Sequence, residues 1–186
     1  MPEETRRTAH LDPRLPLVLD TRELGRRPGS MRTLSRSVPA PADLGVDVLG
    51  VPEGSALELD LRLESVVEGV LVSGTVTGTV AGECVRCLDP VSQPLTVDVQ
   101  ELWTRGEPAD AEDELPRLDG DLLDLEPVLR DAVVLALPLR PLCRDDCPGL
   151  CSECGAHLAD DPGHGHEVAD PRWAALQQLA ERTDQA

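Results

Sequence analysis

The clearest pattern along the chain is a strict alternation of leucine with charged residues between Leu57 and Leu63, in the sequence LELDLRL. Successive side chains of a strand point to opposite faces, so this period of two predicts a strand with one dry and one wet face. A run rich in Val and Thr follows from Gly69 to Cys84, and a third extended run spans Val91 to Trp103. We expect these runs to form an antiparallel meander, with the CVRC sequence at the tip between the second and third.

Apolar residues at spacings of three and four predict a helix from about Leu125 to Leu137. Asp124 can cap it, Pro127 is tolerated in its first turn, and Pro138 ends it. Its apolar stripe consists of Val128, Leu129, Ala132, Val133 and Ala136.

A second helix is expected from Asp170 to about Arg182, with Trp173, Leu176 and Leu179 or Ala180 docked on the body. The predicted fold class is α+β, an antiparallel β meander packed with a long central helix and a C-terminal helix.

The other segments carry weaker patterns. Residues 1–14 are predicted to be a flexible tail and 15–182 a single domain, in which 143–168 is rich in cysteine and histidine. A short strand is expected at 15–20 and a helical turn at 21–24, within a stretch from 21 to 52 that we expect to be irregular. Residues 106–126 hold nine acids and one Arg, which favours a loop.

The length of 186 residues fits one medium domain, and 40% hydrophobic residues suffice for a core. The formal net charge is −18, but residues 1–36 hold eight Arg against five acids, so the acidity lies in the body. Such a surface repels a naked polyphosphate backbone and favours a basic protein partner. Direct RNA contact is expected only through the Arg-rich arm, residues 6–36.

No segment resembles a secretory signal or a membrane span, because the longest apolar stretch near the start, Leu15 to Leu19, is interrupted by Pro16. We expect a soluble cytoplasmic protein without a membrane partner. In a reducing compartment, paired thiols more often hold metal than form disulfides.

The six cysteines lie in close sets. Cys-x-x-Cys turns occur at Cys84/Cys87 and at Cys151/Cys154, and a further pair, Cys143/Cys147, lies between them. Two sulfurs of such a turn converge on one point, as a tetrahedral zinc site requires. Two pairs far apart in sequence predict structural zinc rather than catalytic zinc, because four protein ligands leave no open position.

Spacing leaves three groupings open. One zinc can be held by Cys84, Cys87, Cys143 and Cys147, which would fasten the hairpin tip to the end of the helix. The two Cys-x-x-Cys turns can instead share an ion, as in a zinc ribbon. An additional zinc can be held by Cys151 and Cys154 with His164 and His166, or with His157.

Catalytic signatures are absent from the sequence. It contains no phosphate-binding loop, dinucleotide fingerprint, H-E-x-x-H or G-x-S-x-G motif. A thiol redox or metal-delivery protein is the alternative reading of the Cys-x-x-Cys pairs, although neither turn opens the βαβ unit of a thioredoxin-like site. We therefore expect no enzyme.

Three stretches together resemble the YceD family, the large ribosomal RNA subunit accumulation proteins. They are GECVRCLDPV (82–91), DLLDLEPVLRDAVVLALPLRPLCRDDCPGLCSECGAHL (121–158) and DPRWAALQQL (170–179). The resemblance covers roughly residues 11–182 and is most specific in the helix that leads through LALP into the cysteines.

The resemblance implies which cysteines share a metal. Family members commonly carry a turn like that of Cys84 and Cys87, and further Cys or His after Ala-Leu-Pro, where this chain has Cys143 and Cys147. It therefore favours the first grouping. The CxxCG turn resembles a longer-tailed bacterial branch in which additional cysteines often follow, and His164 and His166 stand near that place here.

The function implied by the resemblance is the synthesis, processing or stability of large-subunit (23S) ribosomal RNA. Combined with the acidic body, it predicts a non-enzymatic ribosome assembly factor that acts through a basic ribosomal protein or a pre-ribosomal particle.

Overall fold

A computed structural model of the chain describes residues 10–106 and 115–166. Within these ranges the fold is mostly antiparallel β-sheet with one α-helix. A six-stranded sheet carries most of the chain, and a two-stranded ribbon lies beside it. The strands are β1 (Val18–Asp20), β2 (Met31–Pro39), β3 (Leu44–Val46), β4 (Leu49–Val51), β5 (Ala56–Ser65), β6 (Gly69–Glu83), β7 (Pro90–Thr104) and β8 (Leu122–Asp124).

The predicted meander is confirmed. Strands β5, β6 and β7 follow one another in antiparallel order, with Leu61 opposite Gly74 and Gly74 opposite Val99. The four alternating leucines of β5 are at most 2% exposed, as the period of two requires. Strand β6 pairs with β7 along its whole length, while β5 and then β4 share its other edge.

The prediction of an irregular stretch from 21 to 52 is wrong. Strand β2 pairs with β5 over nine residues, from Met31 opposite Glu64 to Pro39 opposite Ala56, and β3 and β4 form a hairpin. The inward positions of β2 include Arg32 and Arg36, which are half-buried beside Leu34. Their aliphatic carbons line the sheet, but their guanidinium groups are polar, so a hydropathy pattern does not show the alternation of inward and outward positions in β2. The short strand and the helical turn before β2 are confirmed, as β1 and a 3-10 turn at Arg22–Leu24.

The core lies between one face of the large sheet and a layer made of the β1–β8 ribbon and the helix. Leu123, Leu129 and Val133 from this layer are at most 2% exposed and belong to the same apolar cluster as the inner side chains of β5 and β6. Trp103 of β7 is also buried, and its indole N–H donates to the carbonyl oxygen of Asp124 at 3.2 Å.

The helix is shorter than expected. Helix α1 spans Glu126–Ala136, and the Asp124 carboxylate accepts from the backbone N–H of Glu126 at 3.0 Å. Leu137 is extended because the residue before a proline disfavours helical backbone. The buried side chains of α1 are Leu129 and Val133, whereas Ala136 of the expected apolar stripe is exposed.

The expectation of an α+β fold with a long central helix is therefore corrected to a mostly antiparallel β fold with one 11-residue helix in the described ranges. The predicted C-terminal helix from Asp170 to Arg182 falls outside them. No helix within 10–106 or 115–166 has both the length and the apolar character needed to cross a bilayer.

The alternation in β5 makes a direct prediction. We expect Leu59→Ala to lower the free energy of unfolding by about 2 to 5 kcal/mol, because it leaves a cavity under the sheet. The matched change Glu58→Ala removes an outward side chain and should stay within about 0.5 kcal/mol. Urea unfolding with zinc present measures both, and equal losses for the two variants would contradict the assigned faces.

Candidate metal centres

The first centre begins at the tip between β6 and β7, where Cys84 to Cys87 form a tight turn. The N–H of Leu88 donates to the carbonyl oxygen of Cys84 at 2.9 Å, and the N–H of Cys84 donates to that of Asp89 at 2.8 Å. These two bonds fold the turn so that both thiols lie on its inner side, where Cys84 and Cys87 are buried.

Cys143 and Cys147 reach the same tip from the segment after α1. Prolines at 138 and 141 prevent the helix from continuing, and the chain then runs beside the turn. The N–H of Val85 donates to the carbonyl oxygen of Pro141 at 3.0 Å, and the Arg86 guanidinium donates to that of Cys147 at 2.8 Å. The turn and the post-helix segment are thus joined by hydrogen bonds independent of the sulfurs.

The four sulfurs form one compact group. Cys84 Sγ lies 3.8 Å from Cys147 Sγ, and Cys87 Sγ lies 3.5 Å from Cys143 Sγ. All four sulfurs are within 4.8 Å of one another. Four thiolates around one zinc, at about 2.3 Å from the ion, stand about 3.8 Å apart, so the observed spacing suits a tetrahedral ion.

The electrostatics of the group favour a bound cation. Burial raises the pKa of Cys84, but hydrogen bonds from the backbone N–H groups of Cys143, Arg86 and Cys87 outweigh it and lower that pKa to about 6. At Cys87 a hydrogen bond from the backbone N–H of Asp89 lowers the thiol pKa. Burial and side-chain hydrogen bonds with the Asp89 carboxylate and with Cys84 outweigh that effect, so the pKa of Cys87 is raised. Four thiols this close cannot all ionise unless a cation offsets their charge.

The second centre repeats the turn. The N–H of Gly155 donates to the carbonyl oxygen of Cys151 at 2.9 Å, and the N–H of Cys151 donates to that of Ala156 at 2.8 Å, matching the first turn residue for residue. The residue after the second cysteine is left-handed in both turns, at φ 64° for Leu88 and 73° for Gly155.

Two histidines complete this second group. His164 Nε2 lies 3.2 Å and His166 Nε2 3.3 Å from Cys154 Sγ, and the two nitrogens are 3.0 Å apart. With Cys151 Sγ, the four ligand atoms fall within 4.8 Å of one another. Backbone N–H bonds from Glu153 and Cys154 lower the pKa of Cys151 to about 6.

The structure brings the predicted residues together in two sets. Cys84, Cys87, Cys143 and Cys147 form the first grouping, and Cys151, Cys154, His164 and His166 form the additional site. The ribbon-like sharing of one ion by the two Cys-x-x-Cys turns is not what the geometry shows. His157 belongs to neither set, and its Nδ1 lies 3.9 Å from the Asp89 carboxylate. That any of the eight binds metal stays a prediction.

Each set suits one chemical role. A group of four soft or borderline donors fills a tetrahedral shell and leaves no position for substrate water.

The sequence did not identify Arg86 and Leu150, two residues that connect the first set of ligands to the second. Leu150 packs against the first sulfur group, and its N–H donates to the carbonyl oxygen of Arg86 at 3.0 Å. No local sequence signal could have revealed such contacts between distant segments.

Comparison with known proteins adds relatives but no structure. A family model described as large ribosomal RNA subunit accumulation protein YceD matches residues 72–180. An uncharacterised protein of Mycobacterium tuberculosis is 48% identical over 168 residues, which is 88% of this chain and 81% of that protein. One from Mycobacterium leprae is 42% identical over 168 residues, with 88% and 77% covered. No solved structure matches.

The left-handed backbone at Leu88 gives a test of the first turn. A residue with a Cβ pays about 1 to 2 kcal/mol there, whereas glycine does not. We expect Leu88→Gly to be about 1 kcal/mol more stable than Leu88→Ala, measured by urea unfolding at saturating zinc. Both variants remove the same exposed side chain, so a Gly variant less stable than the Ala variant would contradict the turn geometry.

Proposed function

This chain belongs to the YceD family of large ribosomal RNA subunit accumulation proteins, and from that membership we propose that it is a non-enzymatic factor in the synthesis, processing or stability of 23S ribosomal RNA. It acts in the cytoplasm, where ribosomes are assembled, and not on a membrane. The observation that carries this proposal is the closed four-sulfur group at the tip of the main hairpin, which is suited to holding a fold together and not to turnover.

The metal of the first centre is zinc in a structural role. Three of its four cysteines are buried, and the two pairs are separated by 56 residues or more in sequence. Apparent binding free energies of about 10 to 16 kcal/mol match the whole stability of a domain this size, so the ion contributes decisively to folding. When bound, zinc supplies a cationic crosslink, and the Arg86 and Pro141 contacts align the two segments that it joins.

The partner that suits the outer face of the sheet is a basic protein surface. Among the outward side chains of β2, β5, β6 and β7, one cation, Arg62, stands among Glu58, Asp60, Glu64, Glu83 and Asp98. The face is otherwise rich in Ser and Thr. It offers hydrogen-bond groups and negative potential to a ribosomal protein or a pre-ribosomal particle, and it repels bare RNA.

Four of the eight arginines of the expected RNA-binding arm make contacts within the described part of the chain. Arg22, Arg26 and Arg32 make ion pairs with Asp20, Asp121 and Glu23 respectively. The Arg36 guanidinium donates to the carbonyl oxygen of Pro16. These contacts use part of the positive charge that a phosphate backbone would need, which supports a protein as the first contact.

The second candidate function is a thiol redox or metal-delivery protein. It is favoured by the pKa values of about 6 at Cys84 and Cys151, which increase thiolate character. Alkylation separates the two functions, because closed structural zinc protects the thiols until a chelator removes the ion. A redox pair instead reacts quickly and forms a reversible disulfide.

The proposed role is tested in a bacterium that encodes this chain. We expect Cys87→Ser with Cys143→Ser to remove zinc from the first centre, to unfold the body and to fail to restore the ratio of large- to small-subunit rRNA in a deletion strain. Asp145→Asn lies in the same loop without a thiol and should restore it fully. Full restoration by the double Ser variant would refute the structural role of the centre, and an unchanged rRNA ratio in the deletion strain would refute the function.

The partner class gives a separate prediction. Asp60 and Asp98 flank Thr75 on the outer face, so neutralising both as Asn should weaken association with pre-ribosomal particles by roughly 2- to 10-fold at low salt. Asp47→Asn with Glu53→Gln removes equal charge from exposed loops and should leave association unchanged. Sedimentation with purified particles measures both. Tight binding of the wild-type protein to bare rRNA at physiological salt would overturn the choice of partner.

A further inference from the structure

We propose that Cys151, Cys154, His164 and His166 form a second, exchangeable zinc site, which organises only residues 149–166 and depends on the first centre for its place on the body. The dependence of the second site on the first centre rests on the proposed structural zinc at that first centre. The second site itself stands on its own geometry.

The ligand set of the second site is complete. Two sulfurs and two imidazole nitrogens lie within 4.8 Å of one another, and the two nitrogens each lie within 3.3 Å of Cys154 Sγ. Two thiolates and two neutral imidazoles are a common tetrahedral set for zinc. The backbone N–H groups of Glu153 and Cys154 donate to the Cys151 sulfur.

Exposure distinguishes the two sites. Cys84, Cys87 and Cys147 are buried at the first centre, whereas Cys154 and His166 are exposed and Cys151 and His164 are only partly covered at the second. A chelator can therefore approach the second ion directly and displace its ligands one at a time. At the first centre the protein must open before most of the sulfurs become accessible.

The segment that holds the second site, residues 149–166, has little packing of its own. Every described residue from 151 to 166 is exposed or partly exposed. Its apolar anchor is Leu150, which packs on the first sulfur group together with Leu142. Without a core, the folding of this segment has to come from its metal and from its attachment.

That attachment runs through the first turn. The N–H of Leu150 donates to the carbonyl oxygen of Arg86, and a Cβ added at Gly149 would stand 2.9 Å from that same oxygen. The N–H of Leu158 then donates to the carbonyl oxygen of Gly149 at 3.0 Å. Loss of the first centre therefore removes the support of the second, whereas loss of the second leaves the buried sulfur group in place.

The test uses the full-length zinc-loaded protein, with native mass spectrometry during incubation with EDTA. We expect two zinc ions per chain, of which one leaves at least tenfold faster than the other. Cys154→Ser with His166→Ala should hold one zinc, lack the fast phase and retain the urea midpoint of the wild-type protein. Cobalt substitution gives an independent readout, since only the wild-type protein should show the spectrum of a two-sulfur, two-nitrogen site beside that of a four-sulfur site.

Each contrary result points to a different failure. A wild-type protein with one zinc, unaffected by Cys154→Ser with His166→Ala, would show that the second site does not exist. Release of both ions at one rate would overturn exchangeability, and one zinc retained by the second site in Cys87→Ser with Cys143→Ser would overturn the dependence. A Cys154→Ser, His166→Ala variant without any zinc would instead show that the proposed first centre fails.

Discussion

The pairing of β6 on both of its edges is the constraint on which the rest of the structure depends. Its 15 residues run beside β7 on one edge and beside β5 and β4 on the other, so the strand is paired to its end. Cys84 follows immediately. The hairpin tip therefore projects past Val80, the last buried aliphatic residue of β6 in the main core, and the sulfurs there belong to a separate small cluster with Val91.

A tip beyond the core needs its own stabilisation. The cluster at the tip contains three buried cysteines and few aliphatic carbons, so apolar burial alone contributes little there. Four thiols brought within 4.8 Å instead favour a bound cation, because four thiolates this close would repel one another without one. The helix ends at Ala136, and the prolines after it direct the chain toward this tip.

The same turn is used twice with different surroundings. At Cys84 it closes a long hairpin and meets a distant segment, whereas at Cys151 it meets two histidines from the same short segment. The first set unites separate parts of the fold, and the second shapes a local loop. The polar outer face of the sheet, by contrast, presents the acids Glu58, Asp60 and Asp98 to solvent.

Several features could be predicted from local sequence. The period of two indicated which leucines of β5 face inward, and the spacing of apolar residues located α1 to within one residue at each end. The two Cys-x-x-Cys turns identified Cys84, Cys87, Cys151 and Cys154 as candidate metal ligands. These predictions succeed because strand alternation, helical periodicity and turn chemistry each depend on only a few neighbouring residues. Strand β2 is not predicted from the sequence because two of its inward positions are arginines, which break the alternation of apolar and polar residues. These arginines become half-buried only when the strand pairs with β5.

Which cysteines share a site was decided by the tertiary structure. Three groupings were equally compatible with spacing, and only the path of the chain after α1, with Val85 bonded to Pro141, brings Cys143 and Cys147 to the hairpin tip. The sequence by itself thus determined the candidate ligands and the hairpin of β6 and β7 whose tip holds Cys84 and Cys87. Their partition into a buried set and an exposed set was decided by packing between segments far apart in the chain, which no local pattern encodes.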